Sequence, residues 1–559
     1  MLQRLLAFLS CAVLVACGDG TGPPPPPPPA ACVNPATVTL APGQHGVFDP
    51  AASTGCVRLP AAAAETEYLV GLISGNGTET ANGVSGPYYF QAAIGGVTAV
   101  PEVEPSVVPQ RAGRGRGAQA VMDRALRARE RELSSTPGVR FSIPAAPPVA
   151  IPPAVGSQRE FSVCSNISCT QFDTVMATAK YVGLHAAVYI DDMVPTADPL
   201  QQSDFDDLGR TFDMFHYPID IEAFGAVSDM DGNSVVAILL TDAVNALTTD
   251  CANGRVLGFF WGGDLLTIQG SNRGEVFYGM VPQPASPTCP VATRSQTVAR
   301  LKPTLIHELQ HMISWNQHVT LRAGQSEHGW LNEALSHLAE ELAGRLIPNG
   351  ECPGAFSCRS LYTSGNLLNA YDYLDNTEGH FLVIPQTSSA TLEERGASWL
   401  FLRWVIDRFG TGVEGANLTR AMVQTSLTGV ANLQAATGQQ FPTLTAESFL
   451  AWYVDDLPGF TPASPRMRVD TWGLRQVFLD NCCNPPDPDK LLEQEWPVDA
   501  PLITSSFARL GTLRGGSGRH FRVIQGAGSQ PLDLLVARNA ALDGIDAALA
   551  ARLGIVRVR

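Results

Sequence analysis

Thr304-Leu-Ile-His307-Glu308-Leu-Gln-His311-Met-Ile313 is the stretch on which the reading turns. Leu301, Leu305, Leu309, Met312 and Ile313 recur at helical spacing along it. On a helix His307 and His311 stand four residues apart, so both imidazoles project from one face and can hold one zinc ion. Glu308 sits one residue on, angled toward an attacking water rather than toward the metal. Zinc makes that water more acidic, and the carboxylate takes its proton. Five of the ten histidines fall between 307 and 337, which sets this stretch apart from a helix with two unrelated surface histidines.

A site of this kind needs a third protein ligand. The pattern HExxHxxGxxH asks for glycine at 314 and histidine at 317, but the chain has Ser314 and Gln317, and His318 misses the register by one. The other arrangement takes a glutamate from a following helix. Trp330-Leu-Asn332-Glu333-Ala-Leu-Ser336-His337-Leu-Ala-Glu340-Glu341-Leu342 reads as such a helix, apolar at Leu331, Ala334, Leu335, Leu338 and Leu342. Enough chain separates Glu333 from His311 for a loop and a helix return.

HELQH followed by WLNEALS resembles the gluzincin pattern of thermolysin-like enzymes, and in particular the hyicolysin family of neutral zinc metallopeptidases. A weaker likeness runs over residues 155–410, at Tyr189-Ile-Asp-Asp192, Ser228-Asp-Met-Asp-Gly-Asn233, Ile238-Leu-Leu-Thr241 and Gly396-Ala-Ser-Trp-Leu-Phe-Leu402. The resemblance implies an α+β fold with a thermolysin-like zincin catalytic domain, one Zn2+ per chain, and His307, His311 and Glu333 as its ligands. It implies Glu308 as general base and acid, and protein or peptide substrates. Thermolysin-like enzymes place an aspartate where this chain has His337. His337 reads either as a partner of a bound histidine, with Glu340 or Glu341 supporting His307, or as a rival of Glu333 for the metal. A tyrosine or histidine beyond the second motif is expected to stabilise the oxyanion. Tyr371, Tyr373 and His380 are the candidates, each also readable as ordinary core or surface. Asp229, Asp231 and Asn233 resemble the start of a Ca2+ loop, but Ser234 and Leu240 stand where its glycine and glutamate belong. A turn before Val235 is the preferred reading there, with calcium as the alternative.

Composition sets the frame around this centre. The 559 residues are 45% hydrophobic and 16% charged, with net charge −16. That excludes a mainly disordered chain and a nucleic-acid binder with a general basic surface. Residues 1–17 read as a signal peptide: a basic start, an apolar run from Leu5 to Ala16, and Leu14-Val15-Ala16-Cys17-Gly18, which resembles the bacterial lipoprotein box with Cys17 lipidated. The apolar run is shorter than the roughly 20 residues of a membrane-spanning helix. An exported protein, lipid-anchored to a membrane at the cell envelope, is expected.

Residues 18–35 form a Pro-rich spacer and 36–104 a small β-sandwich-like domain. Residues 105–154 are an Arg- and Pro-rich linker with one basic helix, or else a propeptide junction at which processing releases the enzyme. The metallopeptidase domain covers 155–465, a connector 466–500, and a second small β domain 501–559. Export favours disulfides, with neighbour pairing expected at Cys32/Cys56, Cys164/Cys169, Cys251/Cys289 and Cys352/Cys358, and Cys482/Cys483 left open. The function expected is a lipid-anchored, zinc-dependent endopeptidase. The alternative is a non-catalytic surface binding or adhesion lipoprotein built on a zincin fold; the intact Glu308 speaks for the first.

Overall fold

Val235-Val-Ala-Ile-Leu-Leu240 is apolar at every position, which asks for a strand covered on both faces. In the computed structural model it lies inside a sheet and is buried throughout. The structure describes residues 32–559 except 53, 98, 100, 104–116, 137–151, 195–196, 353–356, 387–390 and 484–489. The signal peptide, Cys17 and most of the Pro-rich spacer lie outside the described residues.

Strands β1 to β6 are Ala36–Thr37, His45–Phe48, Cys56–Leu59, Thr66–Ile73, Ser85–Ile94 and Glu102–Val103. Strands β7 to β12 are Gln158–Cys164, Phe172–Val182, Ala186–Asp191, Val236–Leu240, Gly258–Phe260 and Val276–Gly279. Strands β13 to β17 are Leu502–Ile503, Phe507–Arg514, Gly518–Gln525, Leu532–Ala537 and Arg552–Arg557. With the helices between them they make a mixed α+β molecule.

The middle group forms one sheet in the order β11-β12-β10-β9-β8-β7. β9, β10 and β12 run parallel, while β11 pairs antiparallel to β12 and closes that side as an edge strand. The helix Arg294–Trp315, which carries the two histidines, packs on β11 and β12.

The first and last groups depart from the sequence reading, which separates 36–104 from 501–559. The structure joins them in a single sandwich, with sheets β1-β3-β16-β5-β14-β6 and β13-β15-β4-β17-β2. β5 lies between β14 and β16, and β4 between β15 and β17. The physical reason lies in β4 and β5. β4 is buried at all its residues and β5 at most, so each needs a partner on both edges and cover on both faces. The short strands of either segment alone supply neither. Leu59, Val70, Phe90, Leu513, Phe521 and Leu534 fill the space between the sheets.

The helix Phe441–Val454 packs on the outer face of β4 and β17. Gly71 and Gly554 face each other across that pair. A Cβ at Gly71 would stand 3.1 Å from Phe449, and one at Gly554 2.9 Å from Leu450. Two glycines in register therefore make the flat seat on which the helix lies.

The linker 105–154 also differs from expectation. Its described part is a helix, Ala118–Ser135, with Met122, Leu126 and Leu133 buried. Asp123, Arg127 and Glu130 are buried with them, so this is a packed element and not a solvated one. Among the described residues the ten cysteines pair with their neighbours in sequence, Cys482 with Cys483 included. Among the described residues no helix is long and apolar enough to cross a membrane.

Candidate metal centre

The histidine-bearing helix starts at a capping box, in which Thr293 Oγ1 accepts from Gln296 N at 3.3 Å and Gln296 Oε1 accepts from Thr293 N at 3.2 Å. From Leu305 to Trp315 every residue is buried between β11 and the returning helix Gly329–Leu346. That return carries Glu333 over the histidine face. His307 Nε2 lies 3.5 Å from Glu333 Oε2, and His311 Nε2 lies 3.5 Å from Glu333 Oε1. His307 Nε2 and Glu333 Oε1 are buried with no hydrogen-bond partner, an arrangement that costs free energy unless something sits between them.

The spacing tests what that something is. Four ligand atoms at about 2.0–2.1 Å around a tetrahedral ion stand roughly 3.3 Å from one another, close to the 3.5 Å between each histidine and its nearer Glu333 oxygen. The donor set of two imidazoles and one carboxylate fits zinc chemistry. The rival set of His307, His337 and Glu340 fails this test. Glu340 Oε1 is 2.6 Å from His307 Nδ1, a hydrogen bond with no room for an ion between the atoms.

Glu340 thus stands behind His307, accepting its Nδ1–H and turning Nε2 toward Glu333. It also accepts from His337 Nδ1 at 3.2 Å. Glu341, the other residue weighed for this role, faces elsewhere and accepts from Trp399 Nε1 at 3.0 Å and Trp472 Nε1 at 3.1 Å. Ser336 Oγ stands 3.1 Å from His311 Nδ1. Glu308 accepts the Phe260 N–H through Oε2 at 2.9 Å, and its Oε1 is buried without a partner.

Burial and then the charge of Asp123 push the Glu308 carboxyl up to about 8. Burial, then Arg127, holds His311 well below its ordinary value. Burial works to raise Glu333, but Arg395 and the two histidines outweigh it and keep that carboxylate well below the usual range.

Four charged residues at this centre were not read from the sequence. Arg395 Nη1 holds Glu333 Oε2 at 3.1 Å, and its Nη2 donates to Asp123 Oδ2 at 2.9 Å. Arg127 Nη2 donates to Phe260 O at 2.9 Å, and Glu130 Oε1 accepts from Gly262 N at 2.7 Å. Their signal was there: Asp123, Arg127 and Glu130 share one helix face, and Arg395 precedes the apolar run Gly396–Leu402. A cavity of about 350 Å³ reaches Glu333 between Arg127 and Arg131 on one side and Gln386 and Arg395 on the other.

Two of the three oxyanion candidates, Tyr371 and Tyr373, make hydrogen bonds to the C-terminal part of the chain. Tyr371 OH donates to Gln494 O at 3.2 Å in the connector. Tyr373 OH lies 2.9 Å from Ser517 Oγ in the sandwich, and burial holds His380 below its ordinary value. The Asp229–Asn233 loop is closed as a turn by its own side chains, Asp229 accepting from Ser234 N at 3.1 Å and Asn233 from Val235 N at 2.8 Å. Glu275 joins Asp229 and Asp231 there.

No protein-family profile matches the chain. A neutral metalloprotease of Staphylococcus hyicus, ShpI, is 30% identical over 181 residues. The match takes in 32% of this chain and 38% of that relative, so the likeness spans well under half of either.

Proposed function

We propose that the chain is a zinc-dependent endopeptidase of the thermolysin-like gluzincin type, exported and held at the cell envelope by lipid on Cys17. The observation that carries the catalytic part is the pair of 3.5 Å spacings between Glu333 and the two histidines, with partnerless buried atoms on Glu333 and His307. The likeness to a neutral metalloprotease supports the same reading. The lipid-box resemblance at Cys17 supports the anchor.

His307, His311 and Glu333 would hold the zinc ion, which when bound would supply polarisation of a substrate carbonyl and a more acidic water. The chain does the rest. Glu340 fixes the tautomer and tilt of His307. Arg395 keeps Glu333 ionised and aimed. Glu308, clamped at Oε2 by Phe260 N–H, has Oε1 free to take a proton from the attacking water and hand it to the departing amine. Substrates are protein or peptide chains.

Glu308→Gln keeps the shape and removes the base. The variant should retain one zinc per chain by metal analysis while hydrolysis of unfolded casein falls by about 10²–10⁴-fold or more. Activity within a few-fold of wild type sinks the mechanism. A zinc-loaded wild type inert on every unfolded protein tried favours a binding protein on the same fold.

A further inference from the structure

We propose that Glu79 selects the substrate: it receives the guanidinium or ammonium of an arginine or lysine side chain lodged beside the metal centre, so that bonds near basic residues are cut in preference. The inference rests on the peptidase reading above. Glu79 belongs to the sandwich, on the connection between β4 and β5, yet it lines the cavity of about 350 Å³ that reaches Glu333. Two contacts bring it there. Gln386 N donates to Thr80 O at 2.9 Å. Gly83 lies against Phe381 and Pro385, where a Cβ would stand 2.6 Å from each side chain. A part of the chain far from HExxH in sequence thus forms one wall of the cavity.

The charges of that wall decide what fits. Among the described residues four glutamates line the cavity, and three are engaged by other groups. Glu333 faces the two histidines and Arg395. Glu327 accepts from Gly429 N at 2.5 Å and from Asn432 Nδ2 at 2.6 Å. Glu132 stands at the surface, 2.5 Å from Arg129. Glu79 differs: its Oε2 lies 3.0 Å from Arg131 Nη1, a guanidinium from the helix Ala118–Ser135. The Glu79 side chain is 7% exposed and that of Arg131 24%. The carboxylate is therefore walled in, while its cation arrives from the solvent side on a flexible stem and can swing out without the helix moving. His328 Nδ1 lies 3.2 Å from the same oxygen. Burial and then Arg131 lower that imidazole to about 4, so at neutral pH it brings no charge of its own. With Arg131 swung away, Glu79 is a nearly buried anion, which is costly until another cation pairs with it. A basic side chain of the substrate restores the pair with the same chemistry.

The other arginines of the wall do not make it an anion site, because each is already paired. Arg124 donates to the carbonyls of Pro385 and Gln386. Arg127 holds Phe260 O and Glu130, and Arg395 holds Asp123 and Glu333. Trp330, Ile384 and Pro385 supply an apolar part of the lining. The methylene stem of lysine or arginine can lie along such a surface while its charged head reaches a carboxylate. Glu333 and Glu79 line one cavity, so a peptide held at the metal position can set a neighbouring side chain against Glu79.

The test uses zinc-loaded, full-length protein and peptides built around a bond that it cuts in unfolded casein. The peptides differ at one residue beside that bond, with arginine, lysine, glutamine or glutamate there. The arginine and lysine peptides should exceed the glutamine peptide in kcat/KM by about tenfold or more. Glu79→Gln keeps the shape, removes the charge and should abolish that ratio. Arg131→Ala leaves Glu79 in place, removes the cation that competes for it and should raise the ratio, through a lower KM for the basic peptides. A preference absent from both wild type and Arg131→Ala, or retained in Glu79→Gln, overturns the inference and leaves the peptidase reading intact. If Glu79→Gln does not fold, Arg131→Ala decides: a raised ratio supports the inference and an unchanged one overturns it. A zinc-loaded wild type that cuts neither casein nor any of the peptides defeats the peptidase reading and the inference together.

Discussion

Glu340 and Arg395 show how few atoms separate a metal site from a cluster of buried charges. Glu340 acts on His307 through Nδ1, and Arg395 acts on Glu333 through Oε2, so neither needs to touch an ion to govern its binding. A substitution series should rank them. Glu333→Ala should strip zinc from the purified protein, whereas His337→Ala should leave zinc content nearly unchanged, because His337 hydrogen-bonds Glu340 and meets His307 only through the edge of its ring. Glu340→Gln should fall between, with affinity lowered about 10–100-fold as for other carboxylates behind a ligand histidine. Metal analysis after dialysis against graded chelator reads all three, and loss of zinc from His337→Ala with retention in Glu333→Ala reverses the ligand assignment. At this scale the sequence was most informative where residues lie close along the chain. HExxH and the helix bearing Glu333 are local patterns, and periodicity places them on facing helices. Arg395 and Asp123 escaped it, because a contact between residues 272 positions apart leaves no mark on local spacing.

Between elements, the sandwich meets the body that carries the candidate metal centre through the helix Phe441–Val454, and one histidine marks the seam. His520 of β15 stacks on Phe449 with centroids 3.7 Å apart, and its Nε2–H donates to Phe449 O at 2.7 Å. Its Nδ1 is buried with no partner, so a second proton has nowhere to go. Burial accordingly lowers His520 to about 4. A depressed folded-state value gives stability that is complete above the unfolded value, about 6.5, and is lost as pH falls from there toward 4. The loss traceable to this residue should approach about 3 kcal/mol. Urea unfolding of wild type and His520→Gln between pH 7 and 4 checks this: the wild-type curve should fall more steeply, and parallel curves refute it. The seam also explains why two β segments read as two domains. Each shows correct strand periodicity, so the elements were legible. Which strand pairs with which was not, since β4 and β15 are separated by most of the chain and share only an apolar, alternating character that many strands have. The Arg-rich helix was misplaced for a related reason. Charge density reads as solvation, unless the carboxylates and carbonyls that bury the charge are already known.

For the whole molecule, strand sharing changes what happens when the chain is cut. The expectation that processing within 105–154 frees the enzyme from its anchor assumed a separate N-terminal domain. With β4 and β5 held between C-terminal strands, and every cystine local, a chain cut in 104–116 should remain one particle in size-exclusion chromatography and separate only in denaturant. Membrane association should survive the cut and disappear with Cys17→Ser; release of activity by the cut alone contradicts the shared sandwich. There is a mechanical side to the same feature. Cys32 is bridged to Cys56 at the start of β3, so a pull on the proposed lipid anchor would bypass the residues between and enter β3 directly. β3 is bonded to β16 and not to its own sequence neighbours β4 or β5. Tension therefore crosses by hydrogen bonds from the first tenth of the chain to the last.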